Sequence, residues 1–175
     1  MTALPATPAV SRILDASRRS WRLVESALEW LQNPTLLAAR VYVAYVFLES
    51  GLQSLRDWSS TLWLYANCFQ VPVLPPVVAA VAGTAGEIVL PPLLALGLFG
   101  RFGALGLFVV NAVALLSYLH TQQVALTAIG SHLNVAVMFH LIWGLLALIT
   151  ALWGPGRWSL DAWWSRRGRR ALSPA

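Results

Sequence analysis

The chain has no lysine, a single cysteine and few charged residues of any kind. Charged residues make up 11% of the 175 residues, whereas a soluble domain carries about 25%. The one cysteine, Cys68, excludes an internal disulfide and a metal site built from several cysteines. The positive charges are all arginines and lie mainly toward the two ends of the chain, which disfavours a nucleic-acid-binding groove.

Long apolar stretches take the place of the missing charge, since apolar residues make up 58% of the chain. A helix needs roughly 20 apolar residues to cross a bilayer. The sequence therefore predicts an all-α membrane protein, a bundle of four transmembrane helices at about residues 36–55, 76–99, 102–120 and 133–153. Residues 1–33 are predicted to form an N-terminal tail and an amphipathic helix, residues 34–154 the bundle, and residues 155–175 a basic, Trp-rich tail.

The segment before the first span has the pattern of an amphipathic helix. Apolar side chains recur at helical spacing from Val10 to Trp30, and arginines occupy the opposite side. Two placements fit this pattern, a helix lying in the lipid headgroups and a helix packed on the cytoplasmic end of the bundle. The sequence Asn33-Pro34-Thr35 is predicted to break this helix before the first span begins.

The arginines orient the predicted bundle. Four precede the first span and five follow the fourth, Arg101 lies in the predicted tight turn between the second and third spans, and Arg56 lies on the other side. The positive-inside rule then places both termini in the cytoplasm, which requires an even number of spans. Arg40, one turn into the first span, is predicted to extend its side chain to the cytoplasmic headgroups.

One ionisable group, Glu87, lies in the middle of the apolar stretch 76–100. A carboxylate at that depth costs several kcal/mol unless it is neutral, paired or hydrated. Counting a rise of 1.5 Å per residue from the cytoplasmic side puts Tyr45 and Glu87 at about 13 Å, Asn111 at about 15 Å, and Glu49 and His140 at about 19 Å. All four spans therefore carry a polar group near mid-membrane, and these five residues are the candidate site.

The chemistry of this polar layer suggests proton exchange. Glu87 and His140 are the predicted catalytic pair, because histidine titrates near neutral pH. Tyr45 and Asn111 are predicted to orient a small ligand, with a quinone head group as the candidate, and Glu49 faces either this layer or the outer side. One histidine with carboxylates is a poor transition-metal site, so no metal ligands are assigned. The alternative is that these polar groups only hold the helices together.

Several short segments together resemble the DoxX family of small bacterial membrane proteins. Arg40 and FLESGL at 47–52 fall in the first span, followed by VPVLPP at 71–76 and LLALGLFGRFGAL at 93–105. HLIWGLL at 140–146 and PGRWSLDAWW at 155–164 continue the pattern. The family often has a lysine shortly after the Ser-Gly of the first span, and this chain has none. By similarity, Glu87, Arg101 and His140 fall on recurring family positions.

The resemblance implies a four-helix bundle in the bacterial cytoplasmic membrane. It also implies a link to redox chemistry, because family members are associated with quinol oxidase, with thiosulfate:quinone oxidoreductase or with thiol stress. The first expectation is therefore a redox-linked subunit that handles a quinone or a thiol beside a partner redox protein. The second is a scaffold that recruits partners through its aromatic outer loop and basic tail. A small-molecule or metal transporter is the third, and four spans would then require a homo-oligomer.

Overall fold

The computed structural model describes residues 8–69, 71, 73–121 and 135–171, and these form helices joined by short turns. Within this part of the chain, four helices are long and apolar enough to cross a membrane, which confirms the predicted all-α membrane bundle. The helices are α1 (Pro8–Arg56), α2 (Trp58–Leu64), α3 (Pro76–Leu96), α4 (Gly100–Thr121), α5 (Val135–Trp153) and α6 (Leu160–Ala171), with a π-helical turn (Tyr65–Phe69) directly after α2. The predicted start of the fourth span, at residue 133, lies outside the described residues.

Helix α1 is much longer than a membrane span, and the predicted break at Asn33-Pro34-Thr35 is wrong. The helix runs without interruption through Pro34 and has 49 residues, which corresponds to a length of about 74 Å. Proline removes only one backbone donor from a helix. The residues on either side of Pro34 form hydrogen bonds. Thr35 Oγ1 donates to Leu31 O at 2.8 Å, and Asn33 Oδ1 accepts from Arg157 N at 2.9 Å.

The N-terminal half of α1 does not pack on the rest of the protein. Every described side chain from Leu14 to Gln32 is exposed, including Trp21 and Trp30. This excludes the placement in which this half packs on the end of the bundle, as far as the described residues show. Its position in the lipid headgroups stays a prediction, which the exposed tryptophans suit.

The bundle core lies between the second half of α1 and helices α3, α4 and α5. Helix α3 packs against α1 and α4, and α4 also packs against α5. Side chains that are at most 4% exposed fill the middle of the half next to α6: Val43, Phe47, Leu94, Ala104 and Leu107. This set is named the core plug below. A cluster packed to this degree has few voids large enough for water.

The turn between α3 and α4 begins earlier than the sequence suggested, because α3 ends at Leu96 and Gly100-Arg101 already belongs to α4. Gly97 has φ 65° and ψ 36°, and Leu98 N donates to Leu93 O at 2.9 Å, as in a Schellman helix end. The carboxylate of Asp161 accepts from Phe99 N at 3.0 Å and Gly100 N at 2.8 Å. The C-terminal tail thus caps the first turn of α4.

Arg40 does not extend to the headgroups, and that prediction is wrong. The residue is 1% exposed, and its Nη2 donates to Trp158 O at 2.5 Å. Its guanidinium lies against Gly97, where a side chain would collide with it. The arginine is therefore enclosed by two turns of the chain, the one that follows α3 and the one that precedes α6. Arg40 joins these turns and holds α6 to the bundle.

Candidate functional site

A cavity of about 570 Å³ lies in the half of the bundle that carries α2 and the π-helical turn. This volume is within the usual range of 300–1,000 Å³ for small-molecule sites. Most of its exposed wall surface is apolar, although half of the residues that line it carry a polar group. The polar and ionisable lining residues are Ser50, Gln53, Ser54, Asp57, Ser60, Thr61, Tyr65, Glu87, Ser117, Tyr118 and His140.

Glu87 is held in the cavity wall by α1. The Ser50 hydroxyl of α1 interacts with its carboxyl group. The next residue, Gly51, allows α1 and α3 to approach closely, because a Cβ added there would lie 2.8 Å from Glu87 Cβ. The Ser50-Gly51 pair therefore brings α1 close to the Glu87 side chain, which is half-buried.

His140 lines the same cavity from α5 and is oriented by Asn111 on α4. Asn111 is 3% exposed, and its Nδ2 donates to His140 O at 2.8 Å. Its Oδ1 therefore faces His140 Nδ1, at 3.0 Å, and can only accept. Nδ1 is then the protonated ring nitrogen, and Nε2 is the nitrogen that can take up a proton. Asn111 selects the tautomer that leaves a base on His140.

Aromatic contacts fix the His140 ring from a second side. The Trp143 ring lies 5.2 Å from the His140 ring and 6.1 Å from the Phe47 ring, both edge to face. Trp143 Nε1 also donates to Tyr42 Oη at 3.3 Å, which ties α5 to α1. Because edge-to-face pairs have a preferred geometry, these contacts hold the imidazole in position.

None of the three residues predicted to bind a ligand, Tyr45, Glu49 and Asn111, lines the cavity, and Asn111 acts there only through its hydrogen bonds to His140. Tyr45 is 62% exposed and Glu49 is also exposed, and the two side chains lie near each other on the outer surface of α1. Arg101 is exposed near the turn that follows α5, where its Nε lies 3.3 Å from the position of a Cβ on Gly154. It lies at the same end of the bundle as α6, away from the cavity.

The π-helical turn contributes a cavity residue that sequence reasoning missed. Tyr65 is half-buried, its hydroxyl lies against Gly83, and burial followed by the Glu87 charge raises the pKa of Tyr65 to about 12. At neutral pH its hydroxyl is therefore a hydrogen-bond donor. The aromatic residues of the loop at 56–75 predicted only a position at the membrane interface. A π-helical turn that directs one tyrosine into the bundle cannot be recognised from the hydropathy pattern.

Asp57, between α1 and α2, marks the outer edge of the cavity. Its carboxylate accepts from Ser60 N at 3.1 Å and Ser59 Oγ at 2.9 Å, and so caps α2. Hydrogen bonds from Ser60 first, and then from Ser59, lower the pKa of Asp57. A carboxylate is thus present at this edge of the cavity at neutral pH.

The described residues bring no three His, Cys, Asp or Glu side chains together as a metal-binding group. No curated protein and no solved structure matches the chain. The DoxX family model matches residues 35–121. This segment includes α2, α3, α4 and the bundle half of α1, and with them Arg40, Glu87, Arg101 and Asn111, whereas His140 follows it. Through residues 35–121 the chain belongs to the DoxX family of membrane proteins.

Proposed function

We propose that this chain is the membrane subunit of a redox system, whose cavity binds a quinone head group while Glu87 and His140 exchange its protons. The observation that carries the proposal is that one cavity of about 570 Å³ contains an acid from α3 and an oriented base from α5. Ionisable groups at membrane depth are expensive to bury and usually functional. Here both line a space large enough for a ligand.

The chemistry of the cavity suits a quinone. Small-molecule sites combine an apolar lining with a few convergent polar groups, and this lining is of that kind. Reduction of a quinone to a quinol takes up two electrons and two protons. In this proposal the electrons come from a partner redox protein or a thiol, and this chain supplies the protons. Glu87 and His140 Nε2 are the groups that release and recover them.

The proposal includes the location of the chain in a bacterial cytoplasmic membrane with both termini in the cytoplasm. The arginine distribution supports this orientation, since nine of the twelve arginines precede the first span or follow the fourth. α6 and the turn at Gly97–Phe99 then lie on the cytoplasmic side, and α2 with the π-helical turn lies on the opposite side.

Protection from a carbodiimide tests the proposal on the unmodified protein. Dicyclohexylcarbodiimide modifies carboxyl groups in apolar surroundings, and peptide mass spectrometry locates the product. We expect decylubiquinone to slow the modification of Glu87, because the bound head group covers the carboxyl group. Glu49 is the internal control, since it is exposed on α1 outside the cavity. Equal modification of Glu87 with and without the quinone would contradict the proposal.

A scaffold is the second candidate, and one observation favours it. Two apolar side chains in the segment that connects α1 to α3 are strongly exposed, Trp63 at 60% and Val73 at 100%. Such a surface suits either the membrane interface or a partner protein. The same experiment separates the two candidates, because a scaffold without a ligand would show no effect of decylubiquinone at Glu87.

A further inference from the structure

The surroundings of the cavity differ between the two ends of the bundle. Toward the junction of α1 and α2 the wall is polar, and it is formed there by Gln53, Ser54, Asp57, Ser60 and Thr61. Toward α6 the bundle is closed by the core plug, in which Leu94, Ala104 and Leu107 are fully buried. The described residues therefore offer a polar cavity wall on one side of Glu87. On the other side lies the packed core plug, with the buried side chains of Arg40 and Thr150, each hydrogen-bonded to a backbone carbonyl, at the same end of the bundle.

Tyr65 lies on the polar side of Glu87. The π-helical turn that carries it packs against both α3 and α4. Its hydroxyl rests on Gly83, which precedes Glu87 by one helical turn, and a Cβ at Gly83 would collide with that hydroxyl. Phe69 supports the ring edge to face, with 5.1 Å between the centroids. The Tyr65 hydroxyl thus rests on the cavity wall one helical turn from Glu87.

We propose that water and protons reach Glu87 from only one face of the membrane, the face at which α1 meets α2, and that Tyr65 is the gate on this route. The inference rests on the proposed function and extends it by assigning the side of proton exchange. The other titratable groups that face this space are Asp57 from the α1–α2 junction, Tyr118 from α4 and His140 from α5. By the arginine distribution this face is the external one.

We assign Tyr65 as the gate because of the size of its side chain and its contact with Gly83. Gly83 provides the recess, and the Tyr65 hydroxyl at the end of the ring fills it. Opening requires the hydroxyl to leave Gly83, and the minor state of a protein with two conformations is typically populated at about 0.1–10%. Phenylalanine keeps the ring and leaves the recess at Gly83 empty. It should therefore close the cavity less completely than tyrosine and more completely than alanine.

Accessibility of introduced cysteines tests the side of access. In a Cys68→Ser background, Ala114→Cys reports the cavity wall, and Leu107→Cys is the matched control two turns away in the core plug of the same helix. Ser165→Cys, exposed on α6, marks the opposite face. A charged methanethiosulfonate is applied to right-side-out and to inverted vesicles. We expect Ala114→Cys to react only from the face opposite to Ser165→Cys, and Leu107→Cys to react from neither.

The gate is tested on the Ala114→Cys protein. We expect Tyr65→Ala to raise its rate of modification by roughly tenfold or more, because the gated state is then always open. Gly83→Ala, which displaces the hydroxyl, should also raise the rate, and Tyr65→Phe should raise it less than Tyr65→Ala does. Reaction of Ala114→Cys from the α6 face, from both faces or from neither would overturn the side of access. Unchanged rates in both Tyr65→Ala and Gly83→Ala would overturn the gate. No quinone is present, so these outcomes are independent of whether the cavity binds one.

Discussion

Glu87→Gln is expected to weaken the binding of decylubiquinone by roughly three- to tenfold, since the protonated carboxyl group is a stronger hydrogen-bond donor to a quinone carbonyl oxygen than an amide is, and a neutral hydrogen bond contributes about 0.5–1.5 kcal/mol. Glutamine has nearly the same shape, and the Ser50 hydroxyl, which interacts with Glu87 in the wild type, stays beside it. The substitution therefore removes the ionisable group and keeps the packing of α1 on α3. Isothermal titration of the detergent-solubilised protein measures the change in dissociation constant.

Glu49→Gln is the matched control for this prediction. It makes the same chemical change in the neighbouring transmembrane helix, at an exposed position outside the cavity. We expect its affinity for decylubiquinone to equal that of the wild type, and the melting temperatures of both variants to stay close to the wild-type value. Equal losses of affinity in the two variants would show that the effect does not come from the cavity, and would contradict the assignment of Glu87.

Gly97→Ala is expected to destabilise the protein by about 2–5 kcal/mol, because two effects add. Gly97 has φ 65°, where an L-residue costs about 1–2 kcal/mol. The new Cβ would also lie 2.5 Å from Ser159 Cβ and would collide with the Arg40 guanidinium. Arg40 cannot move aside freely, since it is 1% exposed and bonded to Trp158 O. Thermal unfolding in detergent, followed by tryptophan fluorescence, measures the loss.

Gly168→Ala is the control for Gly97→Ala. This glycine lies within α6, and a Cβ added there would meet nothing within 4 Å. Alanine is favoured over glycine in a helix by up to about 1 kcal/mol. We therefore expect an unchanged or slightly raised melting temperature. A Gly97→Ala protein as stable as Gly168→Ala would contradict the account of the junction between the α3–α4 turn and α6.

The transmembrane helices were predictable because hydropathy acts over about 20 residues and does not depend on packing. Counting residues along each span also selected Glu87 and His140, which line the cavity, and Asn111, which is hydrogen-bonded to His140. The depth of a residue along its span does not predict which side of the helix faces the neighbouring helices. Tyr45 and Glu49 have suitable depths on α1, yet both point to the outer surface, since only packing decides which side of a helix faces its neighbours.

Other features depend on contacts between distant parts of the chain. Arg40 was expected at the headgroups, and its enclosure follows from the turn at residues 155–160 folding over it. The continuity of α1 through Pro34 could not be inferred, because proline only disfavours a helix interior and the surrounding structure can accept it. Tyr65 enters the cavity because the π-helical turn packs on α3 and α4, which no local sequence pattern indicates.

Mass spectrometry of the small molecules that remain bound after gentle detergent purification tests the central claim most directly. Wild type, Glu87→Gln and Glu49→Gln are compared at equal protein amounts. The account predicts a quinone in the wild type and in Glu49→Gln, and its depletion in Glu87→Gln, since Glu87 lines the cavity and Glu49 does not. A protein without any bound redox compound in all three samples, or with equal amounts in all three, would contradict a ligand site at Glu87.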